Sequence, residues 1–371
     1  MSLYLDYNAS APIISDVVEI MNNSLEIIGN PSSIHSSGRK ARKAIEDSRE
    51  IIAKTIDCNS KNIIFTSGAT EANTLALNCS KEMKTFISSI EHDSVLKQNI
   101  NANIIPVTLN GIVNLEVLEN DLKKTTAEKL FVSIMAVNNE TGIIQPLEDI
   151  SKICKKYNAI LHVDAVQAIG RITISMNNLD IDLLTISSHK IGGPKGVGCL
   201  AVSDQIYSLL SPIIMGGGQE RGFRGGTEAV NQIIGFGAAA EYSQKLKLVN
   251  TLNSREALEE KIFSMLPNAV IIGKNSPRVA NTSLIAFKNI SAESLVIALD
   301  IEGYEVSSGS ACSSGKISDS HVLKAMHLDE SLVKGAIRIS LCRSLNKSEI
   351  LSFCAILKRV INKISNKKKI I

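Results

Sequence analysis

From about residue 40 to residue 240 the chain alternates short apolar, β-rich runs with helical patterns, and this alternation constrains the fold more than any other feature. The runs predict strands at Ile63 to Phe65, Thr85 to Ile87, Phe131 to Val137, Ile160 to Val163, Leu183 to Ile186 and Val197 to Val202. Apolar on both alternating faces, such strands belong in a mainly parallel α/β sheet of about seven strands, covered by helices on both sides. After about residue 250 the pattern changes. Helices are expected at Leu252 to Leu266, Ser291 to Ile301, Ser320 to Met326 and from Lys347 to about Ile364, with strands at Ala269 to Ile272, Thr282 to Phe287 and Ala336 to Leu341. We therefore expect an extended arm over residues 1–14 that joins the smaller unit, a large domain over 15–250, and a smaller α+β domain over 251–371.

Composition serves mainly to exclude. Forty basic against 37 acidic residues leave a charge of +3, which gives no reason to expect nucleic acid as partner, and the lysines at 363 and 367–369 read as a solvated helix end. No apolar run approaches the ~18 residues of a membrane span, and the N-terminus shows no secretory pattern. The seven cysteines are scattered, with no Cys-x-x-Cys pair, which argues against a disulfide framework or a metal site and fits a cytoplasmic protein.

The strands end in polar groups, and in an open α/β sheet ligands bind beyond the carboxyl ends of the strands. Thr66-Ser67-Gly68-Ala69-Thr70-Glu71, Glu91-His92, Asn138-Asn139-Glu140, Asp164 with Gln167, and Ser187-Ser188-His189-Lys190 follow one another in this way. Five such endings in succession predict one site. Ser67 to Glu71 joins a strand to a helix and suits an anion at the helix N-terminus, or alternatively a plain N-cap with Thr70 as the capping residue. It is neither a Gly-x-Gly-x-x-Gly nor a Walker loop, which argues against dinucleotides and ATP.

Lys190 directly follows a buried strand and two groups able to bind phosphate, Ser187 and His189; a desolvated lysine there can form a Schiff base with an aldehyde cofactor. Asp164 ends an apolar strand and needs a partner, either an arginine or helix N-terminus, or a pyridinium nitrogen. His162 in the same strand reads as structural. Cys312 lies in a run of small residues, Ser307 to Gly315, that would leave its thiol accessible, whereas the cysteines at 79, 154, 199 and 354 read as packing residues. Arg338 suits a bidentate grip on a carboxylate, or is a surface charge on an edge strand.

Taken together, these motifs resemble the cysteine desulfurases, the NifS/IscS-like group of fold-type I pyridoxal-phosphate enzymes in the class V aminotransferase family. The resemblance runs from Tyr4 to Ala9 and Gly29 to His35, through the strand ends, to Gly216 to Gly222, Arg224 to Thr227, Ser308 to Cys312 and Ile337 to Leu341. It implies that Lys190 is the Schiff-base lysine and that Ala69, Thr70, Ser187 and His189 hold the phosphate of pyridoxal 5'-phosphate. Thr227 would reach the same phosphate across a homodimer interface. His92 would stack on the ring and assist proton transfers, Asp164 would pair with the ring nitrogen, and Gln167 with the ring hydroxyl. Asn139, beside the cofactor, and Arg338 would position the substrate carboxylate.

The activity so implied converts L-cysteine to L-alanine and leaves the sulfur on Cys312 as a persulfide, for a sulfur-acceptor protein serving iron–sulfur cluster, thio-cofactor or tRNA biosynthesis. The departures from the family pattern are mild: Ala9-Ser10-Ala11-Pro12 in the arm, Ile191-Gly192 after the lysine, and Cys342 where glycine is frequent. The sequence stops at Ile371, where housekeeping members carry a longer tail for docking an iron–sulfur scaffold, and this leaves the acceptor open. An aminotransferase, β-lyase or selenocysteine lyase of the same superfamily is the competing enzyme reading, and a non-catalytic paralogue the competing non-enzyme reading.

Overall fold

The computed structural model describes residues 2–98, 101–245, 248–309 and 319–368, and Cys312 lies outside them. A short strand, β1 (Leu3–Tyr4), opens the chain. It is followed by helices α1 (Ser15–Ser24) and α2 (Ser36–Thr55). Then come β2 (Ile63–Thr66), helix α3 (Ala69–Asn78), β3 (Lys84–Ser88), β4 (Asn103–Ile105), β5 (Leu130–Met135), β6 (Ala159–Asp164), β7 (Leu183–Ser187) and β8 (Gly198–Val202). Strands β2 to β8 make one seven-stranded sheet in the order β2-β8-β7-β6-β5-β3-β4. Only β8 runs antiparallel to its neighbours, β2 and β7; every other pair is parallel.

Alternate residues of these strands feed two separate cores, which is why the strands read as continuous apolar runs. Ile63, Phe65, Val132, Ile134, Leu184 and Ile186 enter the larger core, with Ala41, Ile45 and Ile52 of α2 and Phe236 of the helix Val230–Lys245. Ile64, Phe131 and Leu183 point the other way, onto Ala72, Leu75 and Ala76 of α3. The sequence did not announce β4. It is a three-residue edge strand whose Ile104 is solvent-exposed, too short to carry a periodic signal.

The second sheet uses β9 (Ala269–Ile271), β10 (Thr282–Phe287), β12 (Ser307–Ser308) and β13 (Ala336–Ser340) in the order β12-β13-β10-β9, all antiparallel. Between β10 and β12 lies β11 (Tyr304–Glu305), which pairs in parallel with β1. The N-terminal arm is thus stitched to the C-terminal part of the chain: Leu5 is buried in the same cluster as Ile285, Ile337 and Phe353, and Asp6 bridges Ser340. Strand β10 faces both ways, with Leu284 and Ala286 in the larger core and Ile285 and Phe287 in this smaller one. Among the described residues no helix is long and apolar enough to cross a membrane, and no cluster of His, Cys, Asp or Glu could hold a metal ion.

His162 is fully buried in β6, with its ring nitrogens 2.8 Å from Ser133 Oγ and 3.1 Å from Thr185 Oγ1. Burial pushes its pKa down to about 3. A histidine unfolded near its ordinary value of 6.5 binds a proton that the folded one refuses, so its contribution to stability is lost as pH falls from about 6.5 towards about 3. Comparing urea midpoints at pH 7 and pH 5 should show a larger acid loss in the wild type than in His162→Gln.

Candidate active site

A cavity of about 650 Å³ opens beyond the carboxyl ends of the parallel strands. It is lined by Ala69, Thr70, His92, Asn139, Asp164, Gln167, Ser187, His189, Lys190 and Arg338, which join the five strand endings to one residue of the second sheet. Thr227 is exposed and does not line this cavity.

At one end, Gly68 caps α3 with φ 156° and ψ 178°, a conformation open to glycine alone, and no side chain occupies the capping position. Thr70 is therefore inside the first turn rather than the N-cap, contrary to the simpler sequence reading. This turn lines the cavity, and its uncapped amides suit an anion. Glu71 braces the turn: its carboxylate accepts the Ser67 N–H at 2.8 Å and the Arg224 Nε–H at 3.0 Å. Burial works against its charge, but the bonds from Arg224 and Ser67 hold its carboxyl below the ordinary value.

Gly198 of β8 packs directly beneath this loop, where a Cβ would lie 2.7 Å from the Ile186 carbonyl oxygen and 2.9 Å from Gly68 Cα. Both contacts are backbone, so something must move. Gly198→Ala is expected to cost about 1–3 kcal/mol of stability and to weaken binding of a phosphate-bearing ligand; thermal melts and a binding titration check both.

His189 sits opposite, its Nδ1 3.3 Å from Ser10 Oγ. Burial, reinforced by Lys190 and Lys195, pushes its pKa down to about 4, so at neutral pH the ring is uncharged and retains one N–H donor. Lys190 ends a single 3₁₀ turn, Ser188–Lys190, and its Nζ donates to the carbonyls of Asn8 at 2.7 Å and Ala9 at 2.8 Å. The arm thus positions the lysine. Gln167 donates from Nε2 to the same Asn8 carbonyl at 2.9 Å, while its buried Oε1 has no hydrogen-bond partner among the described residues. A buried acceptor left in this state fits a ligand hydroxyl.

Asp164, 6 % exposed, meets neither an arginine nor a helix N-terminus among the described residues. Its Oδ1 accepts the Val166 N–H at 3.0 Å and its Oδ2 accepts from Asn73 Nδ2 at 2.9 Å. His92 caps the short helix Asp93–Leu96, its Nδ1 accepting the Ser94 N–H at 3.1 Å. Arg338 lies on β13, between β12 and β10, and is 2 % exposed; the edge-strand reading is wrong because the sheet continues on both sides. Its Nη2 meets Asp6 Oδ1 at 2.6 Å, its Nη1 donates to the Asn139 carbonyl at 2.9 Å, and its Nε is buried without a partner among the described residues.

Sequence reasoning missed three contributors. Asp6 and Asn8 belong to an arm whose placement no local pattern discloses. Asn73 carries one sequence signal, an amide on the otherwise apolar buried face of α3 beside Ala72, Leu75 and Ala76.

A lysine and a carboxylate beyond the ends of parallel strands, with an anion cradle between strand and helix, define a cofactor-dependent α/β enzyme. The Aminotransferase class-V family model matches residues 3–353, and the chain belongs to that family. It is 39% identical over 379 residues to "Cysteine desulfurase IscS" of Dictyoglomus turgidum, covering 98% of this chain and 95% of the relative. It is also 39% identical to "Cysteine desulfurase, mitochondrial" of Arabidopsis thaliana, covering 94% of this chain and 80% of the relative. Among solved structures, the NifS-like protein from Rickettsia africae superposes with a TM-score of 0.90 at 37% identity, covering 98% of this chain and all of that one. The structure described as SspA in complex with cysteine superposes with a TM-score of 0.78 at 31% identity, over 93% of this chain and 100% of that one.

Proposed function

We propose that this chain is a pyridoxal-phosphate-dependent cysteine desulfurase, in which Lys190 holds the cofactor and Cys312 receives the sulfur. The observation that carries the reading is the convergence of Lys190, Asp164 and the orphaned Gln167 Oε1 on one cavity with an uncapped helix N-terminus. The cavity fits the cofactor: Ala69, Thr70, Ser187 and His189 would hold its phosphate, Asp164 its ring nitrogen, Gln167 its hydroxyl, and His92 would lie against its ring. Bound there, pyridoxal phosphate supplies an electron sink for the charge left when the Cα proton of cysteine is removed.

The side chains divide the remaining work. Arg338, with Asn139 beside it, would grip the substrate carboxylate and orient the Cα–H bond towards Lys190 Nζ. Lys190 would take that proton, and His92 would assist proton transfers. The Cys312 thiolate attacks the substrate sulfur: the S–S bond forms, the C–S bond breaks, and protonation at the β-carbon completes alanine. One cysteine and one enzyme thiol become one alanine and one persulfide, with no external oxidant or reductant.

We further propose a cytoplasmic homodimer, with Thr227 contributed to the partner's phosphate site, and a sulfur-acceptor protein serving iron–sulfur cluster or thio-cofactor assembly. Thr227 is exposed and away from its own cavity, and Ile28, Ile34 and Met215 expose 89%, 91% and 83% of their surface.

The deciding experiment is anaerobic incubation with cysteine. Alanine should form, and the peptide containing Cys312 should gain the mass of one sulfur atom. Cys312→Ser is expected to lower sulfide release with dithiothreitol by about a hundredfold or more; full release by this variant would refute its role. A keto acid in place of alanine would indicate transamination instead.

A further inference from the structure

We propose that Asn73 is the positioning residue that sets the two groups flanking the cofactor ring, Asp164 and His92, through a single amide. This rests on the cofactor reading above and extends it to a residue outside the cavity wall.

Asn73 is fully buried on α3. Its Nδ2 carries two protons and spends both, one on Asp164 Oδ2 at 2.9 Å and one on Ser94 Oγ at 2.8 Å. Because Ser94 Oγ accepts there, its own proton is left for His92 Nδ1, 2.8 Å away. The Ser94 backbone N–H approaches the same nitrogen at 3.1 Å. Nδ1 is thereby kept as an acceptor, and the neutral ring carries its proton on Nε2. Asp164, Asn73, Ser94 and His92 form one chain of hydrogen bonds.

The orientation of the amide follows from this arrangement. Turned over, Asn73 would set its oxygen against the Asp164 carboxylate. In the observed orientation Oδ1 is buried with no hydrogen-bond partner among the described residues, a cost that the two donated bonds must outweigh. The carboxylate meant for the ring nitrogen is consequently held at both oxygens, by Asn73 and by the Val166 N–H. The same amide fixes which nitrogen of His92 can donate. A group placed in this way governs geometry and tautomer without touching substrate.

The test uses the loaded enzyme with cofactor labelled with ¹⁵N at the ring nitrogen and histidine labelled with ¹⁵N in the protein. Asn73→Leu keeps the size and removes both donors. It should shift the ring-nitrogen signal and the His92 Nδ1 signal together, and lower kcat about 10- to 100-fold, the range for one charge-assisted bond, with KM for cysteine changed less than about threefold. Ser94→Ala should move the His92 signal and leave the ring nitrogen where it was. Should Asn73→Leu not fold, Asn73→Ala carries the same expectation. A loaded variant with both signals at wild-type positions, even if less stable to heat, overturns the proposal alone. A wild-type chain that takes up no cofactor removes the cofactor reading and this proposal with it.

Discussion

Replacing Lys190 with alanine should abolish alanine formation from cysteine, a fall in kcat of about 10⁴-fold. In the proposed reading the lysine does two things: it holds the cofactor and it moves the Cα proton. Its Nζ is held by the carbonyls of Asn8 and Ala9, so its removal also leaves two backbone acceptors of the arm without that donor. Absorbance of the loaded protein separates the two duties. Lys190→Ala should lack the band of cofactor joined to the chain while still binding it through the phosphate cradle. Added small amines should restore part of the proton transfer and none of the attachment. Wild-type turnover by Lys190→Ala would end the assignment.

Asp164→Ala has the second largest expected effect, a fall in kcat of about a hundred- to thousandfold. A carboxylate 6 % exposed and fixed at both oxygens is arranged in advance for a positive partner, and its neighbours Val166 N–H and Asn73 Nδ2 carry no full charge. A protonated ring nitrogen would supply that charge and depend on the carboxylate to keep it. Asp164→Asn fills the same space without the charge, and should be nearly as slow as Asp164→Ala while melting closer to the wild type. Kinetics and melts of the two variants therefore distinguish an electrostatic duty from a packing one. Equal activity in Asp164→Asn and wild type would refute the electrostatic role.

The large sheet was legible because strands such as β2, β5, β7 and β8 are buried on both faces, which leaves a continuous apolar signature in four to six residues. The residues at the strand ends were legible for a related reason. Asp164 ends its strand, and Thr70, His92, Asn139 and Lys190 lie shortly beyond the ends of theirs, so the parallel sheet delivers them to one edge whatever the details of packing. Thr70 was placed two positions wrongly, as a possible cap, because only the backbone angles reveal that Gly68 holds that position. The edge strand β4 was missed because a three-residue edge strand needs no apolar alternation. Cys312 depended on resemblance, since small residues around a thiol specify accessibility and little chemistry.

By itself, then, the sequence determined the layered α/β frame, the row of polar strand ends and the family. These are properties of local order, carried by periodicity and by residues adjacent in the chain. The tertiary structure decided the rest. It brought Asp6 and Asn8 across the molecule to Arg338 and Lys190, enclosed Arg338 inside a sheet, and set one amide of Asn73 between Asp164 and Ser94. Such contacts join residues up to 332 positions apart. They arise from burial, where an unpaired polar group is costly and each must find its partner in space.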